Sequence, residues 1–419
     1  MWKIGYNILV NLVLPVFILY SLTQKKIRKN LLERFFVTTR DTNTRDTVWI
    51  HAASVGEAVI AENLISYMRQ HTDLRRFLVT TNTYYAKDLL RTRLGKDVQV
   101  FSLPFDLAYT VNRFMADSTF KALIIVETEI WPNLIWKARK RKIPIIIVNG
   151  RISDSTIKAY SKFSPFLRHV FADVDRVVAQ SEEHMERFVS IGMDPEKTIT
   201  TGNIKYYRTL QAKDDPASKG NILTFGSIKE KELPIVLPVI CDLKTSFPDT
   251  LMFVVPRDLH LTTTIEKELS RSFNVMRYSV FRKKTDARVD IVVVDTVGDL
   301  VNLYGISKAA FVGGSLAPYG GQNILEPLLF GIPVLFGPYM ENFRDVADLV
   351  LQKKAGIMVS TGEELGDAIR KIMGDEELRR RMGNAGRLII DNQSKVMAKT
   401  VNAIMETIAE RSERRTPQR

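Results

Sequence analysis

The chain has 419 residues, 45% of them hydrophobic and 26% charged, with 60 Lys and Arg against 47 Asp and Glu for a net charge of +13. The apolar share excludes wholesale disorder, the length suits about two domains of roughly 100–200 residues, and the single cysteine, Cys241, excludes an internal disulfide or a thiolate zinc cluster. The histidines show no H-x-x-H or H-E-x-x-H spacing, so no helical metal site is expected, and the basic balance favours an anionic partner: nucleic acid, a phospholipid surface or a phosphorylated substrate.

Ile4 to Leu22 carries no charged residue. That length sits at the limit of about 20 residues for crossing a bilayer, and Asn7, Asn11 and Pro15 weaken it. Lys25, Lys26, Arg28, Lys29 and Arg34 follow, against Lys3 alone before it. The larger positive cluster stays in the cytoplasm, so residues 1–24 are read as a membrane anchor with the bulk of the chain cytoplasmic. A buried or surface-lying helix is the alternative. The basic run suits an anionic lipid surface, where each Lys or Arg is worth about 1 kcal/mol.

Beyond the anchor, short apolar runs recur at Val48–His51, Phe77–Thr81, Val98–Leu103, Ala122–Val126, Pro144–Val148 and Arg176–Ala179. Amphipathic stretches of helical length separate them, the pattern of a parallel sheet covered on both faces. It pauses at the polar segment Arg208–Gly220, a linker signal. It restarts with Asn221–Phe225, Leu251–Val255, Ile291–Val294, Ala310–Val312 and Val334–Phe336. The expected organisation is α/β: a first Rossmann-like doubly wound domain over 25–210, a linker over 211–220, a second such domain with terminal helices over 221–411, and a disordered tail over 412–419. Ligands in such sheets bind beyond the carboxyl ends of the strands, and the cleft between the domains is the default site.

Four loops stand out. In His51–Ala58, Ser54-x-x-Glu57 fits a capping box. It equally fits a general base, which the helix N-terminus would keep ionised. In Ile125–Asn133, Glu127 and Glu129 end a buried strand, where alternation would put both on one face. They complement a helix dipole or orient a polyhydroxylated substrate. In Thr201–Tyr207, Lys205 is either surface charge or a cation for a phosphate or carboxylate. Gly313–Asp345 is the richest: Gly-Gly pairs at 313–314 and 320–321 leave backbone N–H groups open, and Gln322 to Phe330 reads as a helix. Such a loop cradles anions or is simply a tight turn. It is neither G-x-G-x-x-G nor a P-loop. Asn323 and Glu326 suit ribose hydroxyls, and Arg257 and the Asp295–Leu300 turn face the same space.

These segments, in order, resemble the 3-deoxy-D-manno-octulosonic acid (Kdo) transferases of lipopolysaccharide assembly: HAASVGEA, ETEIWPN, GNIKYY, VPRDLH, DTVGDL, GGSLAPYGGQNILEP and FGPYMENFRD. The resemblance runs from the anchor to about residue 390. It implies a GT-B fold of two facing Rossmann-like domains, and an inverting, metal- and cofactor-independent transfer of Kdo from CMP-Kdo to a lipid A precursor of the lipid IVA type. It places the chain at the cytoplasmic face of the inner membrane, against its anionic lipid surface.

Carried over by motif, Glu57 is the proton acceptor, and Glu127 and Lys205 match positions that stabilise the transition state. Pro256, Arg257, Val297, Gly298, Asp299, Asn323, Ile324, Leu325 and Glu326 match segments that hold CMP. Three places depart from the family pattern: Asp258-Leu259 stands where His-Pro is usual, Asp299 where glutamate is usual, and Gly226–Glu232 lacks the usual histidine or arginine. Asp173-Val174-Asp175 imitates a D-x-D metal motif but precedes an apolar strand. Two rivals are a GT-B enzyme using a UDP-sugar, since fold does not fix substrate, and a membrane-tethered nucleic-acid binder. No nucleic-acid motif accompanies the basic clusters, so nucleic acid is not the expected partner.

Overall fold

A computed structural model describes residues 1–23, 33–36, 44, 46–116, 118–207, 220–283 and 288–413. They fall into two compact units: Met1–Thr209 with Gln393–Arg419, and Leu210–Asn392.

In the first unit seven strands form one parallel sheet: β1 Val48–His51, β2 Phe77–Thr81, β3 Val98–Ser102, β4 Ala122–Val126, β5 Ile145–Gly150, β6 Arg176–Ala179 and β7 Thr198–Thr200. Their order is β3-β2-β1-β4-β5-β6-β7. The central strands are buried on both faces. Ile50, Ile124 and Val148 enter one hydrophobic cluster, and their chain neighbours Trp49, Ile125 and Ile147 enter the other. This period of two explains why such strands read as continuous apolar runs.

The second unit repeats the plan with β8 Ile222–Ile228, β9 Leu251–Pro256, β10 Val275–Arg277, β11 Ile291–Val293, β12 Ala309–Val312, β13 Val334–Phe336 and β14 Gly356–Met358. Their order is β10-β11-β9-β8-β12-β13-β14. The two central crossings, β1 beside β4 and β8 beside β12, are switch points, where successive connections leave on opposite sides and open a crevice.

The apolar runs predict β1, β2, β4, β6 and β13 to the residue. They miss β7, β10 and β14, strands of three residues at sheet edges whose side chains are mostly half-exposed. The helix expected over Gln322–Phe330 shrinks to Leu325–Leu328. Asn323 Oδ1 accepts the Leu325 N–H at 3.2 Å and starts the helix late.

Six helices matter below: α1 Trp2–Thr23, α2 Val55–His71, α3 Pro132–Lys140, α4 Asp154–Ser161, α5 Ser164–Phe171 and α6 Glu376–Glu413. The sequence reading carries the second domain to 411. In the structure α6 divides at 392/393, and Met397, Val401, Ile404 and Ile408 join the core of the first unit. The expected linker 211–220 lies outside the described residues except for Gly220. So does most of the expected tail, of which Ser412 and Glu413 are helical.

The anchor segment forms α1, but among the described residues no helix is long and apolar enough to cross a membrane. A bilayer-crossing anchor therefore has no support. The helix is bonded to its own unit instead. The Tyr6 hydroxyl donates to Asp106 Oδ2 at 2.8 Å, and the amides of Asn7 and Asn133 pair reciprocally at 3.1 Å. Asp106 also accepts the N–H groups of Asn133 and Leu134, at 3.0 and 2.9 Å, at the start of α3. The D-x-D look-alike is structural: Asp173 pairs with Lys3 and Arg139, and Asp175 with Arg139 and Arg411.

Candidate active site

The loops after β1 and β4 leave the switch point of the first sheet side by side, because His51 is paired with Ile125. Ser54 caps α2 and accepts the Glu57 N–H at 3.3 Å. Glu57 Oε1 accepts the Ser54 hydroxyl at 2.7 Å, and Oε2 accepts the Ala53 N–H at 2.8 Å. The Ser54 half of the expected capping box is made, but the return bond from Glu57 goes to the Ala53 N–H and the Ser54 hydroxyl rather than to the Ser54 backbone; Glu57 is 7% exposed.

The β4 loop follows a different geometry from the one its sequence suggests. The Glu127 N–H still donates to Val148 O at 2.9 Å, but its φ is +60°. A left-handed conformation is uncommon for a residue with a Cβ, and such strain of about 1–3 kcal/mol collects at functional sites. The strand alternation expected to align Glu127 with Glu129 stops at Val126. The turn, not the strand, brings the acids into one field.

That field is measurable. Burial pushes the Glu57 carboxyl above its usual range; the bonds from Ser54 and Ala53 oppose this, Glu129 adds to it and His51 opposes it. Burial also raises Glu127, with Glu57 and Glu129 adding and Arg151 and Lys205 opposing. The upward direction means that desolvation outweighs the hydrogen bonds of the cap. His51 is fully buried, and its Nδ1 lies 3.1 Å from Thr80 O. Its Nε2 has no hydrogen-bond partner among the described residues and sits 3.9 Å from Glu129 Oε2.

Lys205 is placed by a chain of small devices. Asn203 Oδ1 accepts the Lys205 N–H at 2.9 Å, and Asn149 Oδ1 accepts the Ile204 N–H at 3.0 Å. Asn149 sits at the β5 irregularity with φ +55°. Gly202 has φ +117°, and a Cβ there would meet Val396 at 2.8 Å. Glu57, Glu127 and Lys205 are therefore brought into one neighbourhood. Asn149 and Arg151 join them without having been singled out from sequence. Their signal was the polar Asn-Gly-Arg directly after an apolar run.

In the second unit the remaining candidates lie on loops beyond β9, β11 and β12. Pro256 ends β9, and exposed Arg257 donates its N–H to Ile228 O at 2.9 Å. Val297 is 85% exposed, Gly298 has φ +96°, and the Asp299 carboxylate accepts the Thr296 hydroxyl at 2.5 Å. Asn323 Nδ2 donates to Glu326 Oε1 at 3.1 Å. The side chains of Ile324 and Leu325 are buried, so what they offer a ligand is backbone.

The open N–H groups expected of the glycine loop are largely spent. Gly313 N–H donates to Gly226 O and Gly321 N–H to Gly314 O, both at 2.8 Å. Gly314 N–H donates to Glu232 Oε2 at 2.7 Å. Glu232, missed from sequence, also takes the N–H groups of Ser315 and Leu316 at 2.9 Å. Two departures from the family pattern meet here, with Lys229 Nζ 3.1 Å from Asp258 Oδ2. Among the described residues no group of three or more His, Cys, Asp or Glu is placed to hold a metal ion.

A family model described as 3-deoxy-D-manno-octulosonic-acid transferase matches residues 29–208. The chain is 31% identical over 407 residues to the 3-deoxy-D-manno-octulosonic acid transferase of Haemophilus influenzae, covering 92% of this chain and 94% of that one. It is 30% identical over 343 residues to the enzyme of the same name from Aquifex aeolicus, covering 82% and 90%. The crystal structure of UDP-GlcNAc 2-epimerase from Neisseria meningitidis bound to UDP-GlcNAc matches with a TM-score of 0.53 at 14% identity, covering 85% of this chain and 99% of that chain. At that identity the match speaks to the fold alone, which is GT-B.

Proposed function

Because the chain belongs to the 3-deoxy-D-manno-octulosonic acid transferase family, we propose that it moves Kdo from CMP-Kdo to a phosphorylated lipid A precursor of the lipid IVA type, with inversion at the anomeric carbon. The observation that carries this reading is the carboxylate set at the switch point of the first unit: Glu57, raised by burial and by the charge of Glu129, beside Glu127, which feels the opposing charge of Lys205. A carboxylate whose affinity for protons is raised above the ordinary range suits removal of a hydroxyl proton during attack.

In the proposed step Glu57 takes the proton of an acceptor hydroxyl. The oxygen forms its bond to the anomeric carbon of Kdo, and the bond to the CMP phosphate oxygen breaks with the electron pair leaving on the phosphate. Glu127 and Lys205 form the fixed electrostatic surroundings of the reacting sugar. Arg257, the Val297–Asp299 turn and the Asn323–Glu326 segment hold the nucleotide in the second unit. The donor is the substrate, and the reading includes no cofactor and no metal.

The exposed apolar face of α1, with Ile8, Leu12, Val16 and Leu19 all more than half exposed, supports a location on the cytoplasmic face of the inner membrane. A helix with an exposed apolar face can lie in the interface plane without spanning it. The test is direct: full-length protein, CMP-Kdo and the tetra-acylated precursor, with product mass and anomeric configuration read out. A mass gain of whole Kdo units with inverted configuration is expected. Transfer from a UDP-sugar and not from CMP-Kdo overturns the donor, and retention of configuration overturns the mechanism.

A further inference from the structure

A cavity of about 580 Å³ lies within the first unit, between α1 and the helices α4 and α5. Ligand cavities span about 300–1,000 Å³. Gly5, Tyr6 and Leu9 of α1 form one wall, and Tyr160, Phe163 and Phe166 form the opposite one. The floor is Ile130 and Pro132, from the loop that carries Glu127 and Glu129. The walls are apolar side chains and aromatic faces, and the Tyr6 hydroxyl is already committed to Asp106.

Three observations say what fits. The rim is apolar and open, since Leu9 is 58% and Phe163 62% exposed. It continues into the stripe of Ile4, Ile8 and Leu12 on the outer face of α1, which are 68%, 57% and 70% exposed. An occupant can therefore pass from an apolar phase into the slot without crossing water. The same two helices carry exposed cations, with Lys158 on α4, Lys162 after it and Arg168 on α5. They match a lipid that carries phosphates beside its chains. The wall residue Tyr160 feels the charge of that loop: burial raises its hydroxyl, and Glu129 raises it further.

We propose that this slot receives one acyl chain of the acceptor lipid and so sets the acceptor headgroup against the carboxylate loop. The inference rests on the transferase reading above. The acceptor is favoured over a bilayer phospholipid because the floor of the slot is the very loop that bears Glu127 and Glu129. A chain seated there positions a reacting group, which a bulk lipid does not supply.

Gly5 provides the probe, because a Cβ built on it meets nothing within 4 Å. Gly5→Leu adds an apolar side chain to this wall of the slot with room for its Cβ, and leucine is a better helix former than glycine. The full-length protein is assayed with two acceptors that share the phosphorylated disaccharide but carry long or short acyl chains. The readout is the ratio of their kcat/KM values. Each methylene displaced from an apolar site is worth about fourfold, so Gly5→Leu is expected to cut the preference for the long-chain acceptor by about tenfold or more.

A merely structural lesion lowers both rates and leaves the ratio unchanged, which overturns the slot. A wild-type enzyme without chain-length preference also overturns it and leaves the transferase reading standing. If Gly5→Leu also weakens binding to phosphatidylglycerol vesicles about tenfold, the slot serves bulk lipid and the proposal fails. If the wild type transfers Kdo to neither acceptor, the transferase reading fails. The slot is then judged by photolabelling with a long-chain acceptor bearing a diazirine at its acyl terminus. Labels on α1, α4 or α5 support it, and labels elsewhere overturn it.

Discussion

Glu57 and Glu232 occupy corresponding places in the two units. Each follows the first strand of its sheet, each lies at a switch point, and each closes a capping arrangement at the start of a helical segment. Their surroundings differ. Glu232 is fully buried and accepts four backbone N–H groups, from Lys229, Gly314, Ser315 and Leu316. It stitches the β8 loop to the β12 loop, and a Cβ on Gly313 would come within 2.8 Å of its Oε2. Glu57 accepts one N–H and one hydroxyl, and faces Glu129 and Glu127. A buried carboxylate whose acceptor sites are filled by the backbone is structural. One left partly unfilled among like charges is poised to take a proton.

The same isosteric change should therefore do opposite things in the two places. Glu57→Gln keeps a side chain that can cap α2 and removes the base. It is expected to lower kcat by about 10²–10⁴-fold, with Tm equal to or above that of the wild type by thermal unfolding. Near-native turnover in a folded variant would reduce Glu57 to a cap. Glu232→Gln turns an amide N–H₂ toward backbone donors. It leaves about two of them unsatisfied at a cost of about 1–3 kcal/mol each, read as a fall in Tm of about 2–4 °C per kcal/mol for a unit of this size. Its kinetic effect is expected in the KM for the donor rather than in kcat, because the loop it holds lies in the unit proposed to hold the nucleotide. Loss of kcat at unchanged Tm would dissolve the contrast between the two residues.

The comparison also marks what the sequence makes legible. The central strands announce themselves because burial on both faces demands unbroken apolar runs, as at Ala122–Val126. Edge strands such as Val275–Arg277 do not, because half-exposed positions carry no pattern. At the site, Ser54-x-x-Glu57 is readable as a capping box, but spacing cannot say that Glu129 and Glu127 lie close enough to perturb the acid. The left-handed turn at Glu127 has no signature in a residue type that rarely adopts it. Glu232 is hidden for the opposite reason: three of its four donors are backbone groups more than 80 residues away, which any sequence could supply. Lys229 lies in one segment that departs from the family pattern and Asp258 in another, and only the structure shows that the two side chains pair, at 3.1 Å.

The smallest expected effect tests whether the carboxylate cluster carries a cost in stability. Glu127 sits in a left-handed conformation and is raised by burial and by its acidic neighbours. Between the ordinary glutamate range and its raised value, the folded chain holds a proton that the unfolded chain has released. Stability therefore falls as pH rises through that window, since the unfolded state binds fewer protons. Glu127→Gln removes that slope. It is expected to gain about 0.5–2 kcal/mol, the usual yield of relieving one unfavourable functional feature. The gain should be present above the window and should fade as pH falls below the ordinary glutamate value, where the wild-type residue is protonated in both states. Denaturant unfolding of both proteins at pH 8 and pH 4 measures it. A variant less stable than wild type at pH 8 would mean that Arg151 and Lys205 more than compensate for the repulsion, and that Glu127 is held as firmly as Glu232.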